Sequence, residues 1–395
     1  MKRLLSILLI LMITITSTIS YGDNIDTYIP IILEENLRSY ILADFETGEI
    51  LEQYNIDEVV EIASISKLMS YLVVMDKVSK GDISLDDIIT IDKDTTKIKG
   101  SSFKVNVGEA FSVKELIDAA IVVSGNDAAY ALAKYVGGTE ENFVRLMNEK
   151  AKEIGISHGE FYNSTGLPIQ GKDLQNKMTT KEIFLLSQYI ISKYPEILDI
   201  STMRAIENID RNYFELNTNP LLNEIKGVDG LKTGFTNKAG YSYVSTFTID
   251  GKATESKDLR LIAIIMGAKD FEKRNIMSKI LVEYGIHNYS HKIFLDENTT
   301  LKTLEFPKGD ITKVDIFPEE EFSKLIRNDE NIDVNIDIDE NIKLPIKKDT
   351  VIGKAKVVEN GNIIFETDIL IKEDVNKAKW YTIIKRYFER LFGKE

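Results

Sequence analysis

The chain has 395 residues, 43% hydrophobic and 28% charged, which is the composition of a folded protein too long for one ordinary core. A formal net charge of -14 disfavours general binding to nucleic-acid backbones. With no cysteine there can be no disulfide, thiolate metal site or cysteine nucleophile, although a large core can be exported without such staples.

Lys2 and Arg3 precede a mostly apolar run, Leu4 to Ile13, and then Thr and Ser up to Ser20. That order predicts a secretory signal over residues 1–22, cut before Tyr21 or Asp23, and hence a protein working outside the cytoplasm. An uncleaved anchor is the alternative. Residues 37–54 predict a hairpin turning at Glu46-Thr47-Gly48-Glu49. Ser64–Lys80 is a mostly buried helix stopped by Gly81. Val113–Val136 is helical in pattern but broken near Ser124-Gly125-Asn126. Glu140–Ile154 ends at Gly155, and Thr179–Tyr194 is capped by its threonine and stopped by Pro195. Gly240–Ile249 and Leu259–Met266 then read as strands, and Phe271–Tyr284 as a helix closing at Gly285. Strands at both ends of residues 23–286, with helices between them, predict an α/β sandwich of sheet and helix layers.

From residue 287 to 375 short Val/Ile/Thr runs alternate with Pro, Gly and Asn, and Asn360-Gly361 marks a hairpin. This predicts a small β domain. In residues 376–395, Trp380, Ile383, Ile384, Tyr387, Phe388, Leu391 and Phe392 share one helical face, with Lys385, Arg386 and Arg390 opposite. The segment is too charged to span a bilayer but suits the headgroup plane of an anionic membrane. Packing of this helix on the β domain is the alternative.

A serine hydroxyl is a weak nucleophile and needs a base beside it. Ser64 and Lys67 are three apart at a helix start, so they share a face, and a lysine kept neutral by burial or by another cation can take the serine proton. The helix N-terminus adds positive potential for an oxyanion. Ser-x-x-Lys alone is weak, since Ser101-Ser102-Phe103-Lys104 repeats it in what reads as a loop. Its company decides. Ser124-Gly125-Asn126 presents a hydroxyl and an amide from a helix break, and Lys232-Thr233-Gly234 offers a cation and a hydroxyl to a carboxylate. Gly234 would let an extended peptide approach a strand edge. The three motifs follow in this order about 60 and 108 residues apart.

Ser64-x-x-Lys67, Ser124-x-Asn126 and Lys232-Thr233-Gly234 resemble the three motifs of the penicillin-recognising serine acyl-transferases. The flanks at Ala63–Met69, Gly100–Glu109, Ser124–Ala128, Phe161–Leu167 and Gly227–Gly240 look like those of the D-alanyl-D-alanine carboxypeptidases among the low-molecular-mass penicillin-binding proteins. The resemblance runs from about Leu37 to Gly285 and more loosely into the β domain and tail. It implies a transpeptidase/β-lactamase-like α/β domain, an antiparallel sheet packed with helices, followed by the small β domain and the amphipathic helix. It implies cleavage of the terminal D-alanine from peptidoglycan stem peptides, no cofactor or metal, and inhibition by β-lactams. Ser64 would attack the carbonyl between the two D-alanines, with Lys67 as base and Ser124 relaying a proton to the leaving amine. Asn126 would hold the substrate backbone, Lys232 supply charge and Thr233 bind the terminal carboxylate. The backbone N–H groups of Ser64 and Phe235 would form the oxyanion hole. Ile62 and Ser66 stand where the family usually has Pro and Thr, and Lys172–Thr180 is more polar than usual.

Other readings are open to test. A class A β-lactamase would need a glutamate to activate water, and Glu160 lies in the plausible region. A penicillin-binding sensor would bind without turnover. A zinc enzyme is disfavoured because no acidic residue lies between His287 and His291.

Overall fold

The computed structural model describes residues 25–391. The expected signal segment 1–22 lies outside the described residues, as does Phe392 of the tail. The chain forms two compact units: one runs to Thr246 and resumes over Ile262–Tyr284, the other comprises Phe247–Leu261 and Gly285 onward. The sequence pattern marks no break at Phe247–Leu261. That segment groups with the second unit because Ser256 and Lys257 pair antiparallel with Lys292 and His291.

The first unit is built on a five-stranded sheet. From edge to edge its strands are Ile50–Tyr54, Ser39–Asp44, Leu259–Ala268, Gly240–Ile249 and Val228–Thr236. Ser39–Asp44 is buried along its whole length, as a central strand covered on both faces must be. Between the first hairpin and the last three strands come the helices Ser66–Ser79, Val113–Val122, Asn126–Gly137, Glu140–Glu153 and Thr180–Lys193. Ser66–Asp76 is buried at every position, so this helix is the axis of the core rather than a surface helix. Its neighbours are fixed at their starts by reciprocal caps, Ser112 with Glu115 and Thr179 with Glu182. Gly81 and Gly155 follow their helices with φ of 73° and 85°, the left-handed stop that glycine takes most easily.

Gly285 does not act in this way. The last helix runs on as Phe271–Asn288, with Gly285 buried inside it. Glycine in a helix interior weakens it by only about 1 kcal/mol, which tertiary packing overrides.

The second unit carries a three-stranded sheet, Ser256–Lys257, Tyr289–Leu295 and Phe322–Arg327. It also carries a five-stranded one ordered Lys302–Glu305, Lys313–Pro318, Asn362–Ile371, Val351–Glu359 and Ile332–Ile338. Val314, Ile316, Ile352, Val357, Ile369 and Ile371 form its core. Asn360 and Gly361 turn its longest hairpin with φ of 52° and 80°, the double positive φ of the turn that matches strand twist. The helix Trp380–Leu391 belongs to this unit.

Candidate active site

Ser64 sits one turn ahead of its helix, in the short 3-10 turn Ala63–Ile65. Ala63 before it adopts φ 47°, a conformation few non-glycine residues take without support. The support comes from Gly166: a Cβ there would stand 1.8 Å from the Ala63 carbonyl oxygen, so only glycine lets the two backbones meet. Asn163 folds that second segment, its Oδ1 accepting from the Gly166 N–H at 2.6 Å. Gly234 does similar work from the sheet, since a Cβ there would lie 2.9 Å from the Ile62 carbonyl oxygen. The missing side chain of Gly234 thus makes room for the turn that carries Ser64, and Gly234 also lines the cavity beside it.

Lys67 is 1% exposed. Its Nζ lies 2.8 Å from Ser64 Oγ, 2.6 Å from Asn126 Oδ1 and 3.1 Å from the Thr165 carbonyl oxygen. Burial, and next the positive charge of Lys232, hold its pKa well below the ordinary lysine value, against a smaller pull from Asp127. A neutral amine has two N–H donors and one lone pair. Asn126 and Thr165 take the two donors, which leaves the lone pair for the Ser64 hydroxyl. Asn126 is itself fixed, donating from Nδ2 to the Lys99 carbonyl at 2.8 Å.

Ser124 occupies the helix break at φ 59° and borders the same cavity as Ser64. Its hydroxyl forms no hydrogen bond to protein among the described residues. Lys232, Thr233, Gly234 and Phe235 lie in the strand Val228–Thr236, at the edge of the sheet. Thr233 Oγ1 donates to Thr218 Oγ1 at 2.9 Å. Phe235 is 47% exposed and stacks on Tyr241 with ring centres 4.0 Å apart.

The cavity has a volume of about 490 Å³. Ser64, Ser124, Asn126, Thr233, Gly234 and Phe235 line it, so the structure brings six of the eight expected residues to one wall. Lys67 and Lys232 lie beneath that wall, both buried. Lys67 reaches the cavity through Ser64, and Lys232, whose Nζ donates to the Thr233 carbonyl at 3.1 Å, acts on it by charge.

The sequence reading missed Arg274. It is 5% exposed yet borders the cavity, its Nε and Nη2 donating to Asn275 Oδ1 at 3.0 and 2.9 Å and its guanidinium lying over the Phe271 ring. Burial lowers its pKa. Burial, and then Arg274, bring Lys232 down to about 7. Ser101, set aside as part of a loop, also borders the cavity, while the neighbouring Ser102 donates to Asp127. Among the described residues no carboxylate lines the cavity. Buried Arg274 and Lys232 beside a cavity with no carboxylate on its wall make a site for an anion.

A family model described as D-alanyl-D-alanine carboxypeptidase matches residues 31–270. The chain belongs to that family. A second model, for the C-terminal domain of penicillin-binding protein 5, matches residues 289–377. The D-alanyl-D-alanine carboxypeptidase DacF of Bacillus subtilis is 31% identical over 98% of this chain and 98% of its own length. DacC of Escherichia coli, a carboxypeptidase of the same description, is 30% identical over 90% of this chain and 89% of its own. Among solved structures, penicillin-binding protein 5 of Haemophilus influenzae covers 87% of this chain and 98% of its own with a TM-score of 0.63 at 27% identity. Penicillin-binding protein D2 of Listeria monocytogenes in its ampicillin-bound form covers 63% of this chain and 96% of its own, with a TM-score of 0.56 at 33% identity.

Proposed function

We propose that this carboxypeptidase removes the terminal D-alanine of a peptidoglycan stem through an ester on Ser64. The observation that carries the reading is the buried Lys67 amine, 2.8 Å from Ser64 Oγ with its other two bonds committed. The C-terminal carboxylate enters the cationic end, held by Thr233 and Arg274 and by the charge of Lys232. Ser64 Oγ bonds to the carbonyl carbon as its proton passes to Lys67 Nζ. The resulting oxyanion sits on the backbone N–H groups of Ser64 and Phe235. The C–N bond then breaks, the leaving amine taking a proton through Ser124, and D-alanine departs. Water hydrolyses the ester and restores the Ser64 proton. Asn126 orients both Lys67 and the substrate backbone.

The absence of a carboxylate among the residues lining the cavity favours this reading over a β-lactamase. Glu160, the candidate activator of water, is ion-paired with Lys177 at 3.2 Å and bonded by the Tyr162 hydroxyl, and it is not among the lining residues. A penicilloyl ester on Ser64 is therefore expected to persist. The deciding assay is fluorescent penicillin labelling together with D-alanine release from a pentapeptide ending in D-Ala-D-Ala, each with a Ser64→Ala control. Labelling and release that both vanish in the variant support the proposal. Labelling without release identifies a sensor, and rapid penicillin turnover a β-lactamase.

Export by residues 1–22, a peptidase domain over 23–286, a β domain over 287–375 and membrane docking by 376–395 complete the reading. No helix among the described residues is long and apolar enough to cross a membrane. Trp380, Tyr381, Tyr387, Phe388 and Leu391 are all more than half exposed, an apolar face suited to a headgroup layer. Arg386 does not share the cationic face with Lys385 in the way the helical wheel suggests. It donates to the carbonyls of Gly309 and Asp310 at 2.7 and 2.9 Å and so ties the helix to its own unit. Deleting 377–395 is expected to abolish sedimentation with anionic vesicles while leaving penicillin labelling intact, and undiminished sedimentation would refute the docking.

A further inference from the structure

The first unit holds a second cavity, of about 200 Å³, walled by Met75, Ile117, Ile200 and Met203 and bordered by Tyr71. Tyr71 is 3% exposed and its hydroxyl has no hydrogen-bond partner among the described residues. Glu196 and Asp199 stand at the exposed side, and among the described residues neither joins an ion pair. Lys114 also lines the cavity, but it is committed to Asp118 behind it at 2.7 Å, and the other Asp118 oxygen has no partner among the described residues. Acceptors and negative charge thus exceed donors around an apolar hollow, a combination that calls for a ligand with N–H donors, a positive charge and a short hydrocarbon chain. At about 30 Å³ for each small heavy-atom group, the hollow takes roughly six or seven non-hydrogen atoms.

The cavity is connected to that of Ser64 through Asn217. Ile200 and Met203 flank Ser201, and the Asn217 side-chain amide donates to the carbonyls of Ser201 and Met203 at 2.9 and 2.8 Å. Asn217 lines the cavity of Ser64, next to Thr218, which accepts from Thr233.

We propose that this second cavity binds a primary ammonium ion on a short alkyl chain, and that its occupancy is felt at Ser64 through Asn217. The second half rests on the reading of Ser64 as nucleophile. The probe is n-hexylammonium, titrated calorimetrically into the full chain and into Glu196→Gln/Asp199→Asn, Tyr71→Phe and Ser64→Ala. Saturable one-to-one binding is expected, weakened by roughly tenfold or more in the double carboxamide variant and by roughly threefold in Tyr71→Phe. It should be unchanged in Ser64→Ala, which separates this site from the catalytic one. Absence of saturable heat, or equal binding by the double variant, would overturn the site and leave a hollow filled by water. At saturating n-hexylammonium the rate of penicillin acylation is expected to shift at least about twofold in the wild type and not in the double variant. An unaltered rate overturns the coupling. Binding intact with no penicillin labelling upholds the site and sinks the Ser64 reading instead.

Discussion

Two groups of cations in the first unit have opposite electrostatics. Around Asp76, Lys150 and Lys193 both contact the carboxylate, Lys193 at 2.9 Å, and the Tyr194 hydroxyl donates to it at 2.7 Å. Burial pulls the Lys150 pKa down, but Asp76 and Glu153 together outweigh that and the pKa rises, while Asp76 raises Lys193 outright. Around Ser64, Lys67, Lys232 and Arg274 are all buried with no carboxylate on the cavity wall, and all three pKa values fall. Lys67 and Lys150 are both buried lysines, and the counter-charge each one meets decides whether it stays an ion that holds helices together or becomes an amine that can take a proton.

The contrast is broken most severely by removing the amine. Lys67→Met keeps the apolar stem and is expected to slow penicillin acylation by about 10³–10⁴, read by stopped-flow labelling, while the protein folds normally. Next comes converting one site into the other. Asn126→Asp places a carboxylate where an amide oxygen already lies 2.6 Å from Lys67 Nζ. An opposite charge raises the lysine pKa, so the neutral fraction at pH 7 falls tenfold for each unit. Acylation is expected to drop by roughly 10²–10³ and to recover as pH rises, moving the ascending limb of the rate profile upward. A profile that keeps its shape would show that Lys67 is not the base.

A gentler test uses the charge of Lys232. Its pKa of about 7 means it is cationic below that pH and loses its charge above it. If the charge helps hold the substrate carboxylate, kcat/KM for D-alanine release is expected to decline above about pH 7, by up to tenfold per unit, through KM more than kcat. An amidated substrate, with no carboxylate, should not show that limb. The smallest effect on catalysis is expected from Asp76→Asn, which takes from buried Lys150 one of its two carboxylate partners and leaves Glu153. Stability should fall by about 2–3 kcal/mol, seen as a lower melting temperature, with the acylation rate per folded molecule unchanged.

Much of this was readable from the residues themselves. Ser64 and Lys67 are neighbours because helical geometry brings positions three apart together, and Ser124-Gly125-Asn126 does break its helix. The Asn360-Gly361 hairpin and the caps at Thr179 and Gly155 follow from local backbone preference. Arg274 was not readable. It stands on a helix about 40 residues beyond Lys232, among other charged residues, and nothing local distinguishes it from a surface arginine. The carbonyl of Thr165 was equally hidden, because a backbone oxygen carries no sequence signature. Gly166 and Gly234 are visible as glycines, but the Ala63 and Ile62 carbonyls that require them come from elsewhere in the chain.

The sequence by itself determined the helix and strand periods, the α/β and β divisions of the chain and the three motifs proposed to carry nucleophile, base and carboxylate recognition. These depend on neighbours within a turn or a strand, where the repeat of the backbone sets who meets whom. Only the tertiary structure decided that Lys150 is ion-paired while Lys67 joins no ion pair among the described residues, that Arg274 joins Lys232, and that Phe247–Leu261 groups with the second unit. Electrostatic environment and close backbone approach depend on residues tens to hundreds of positions apart, and packing alone brings those together.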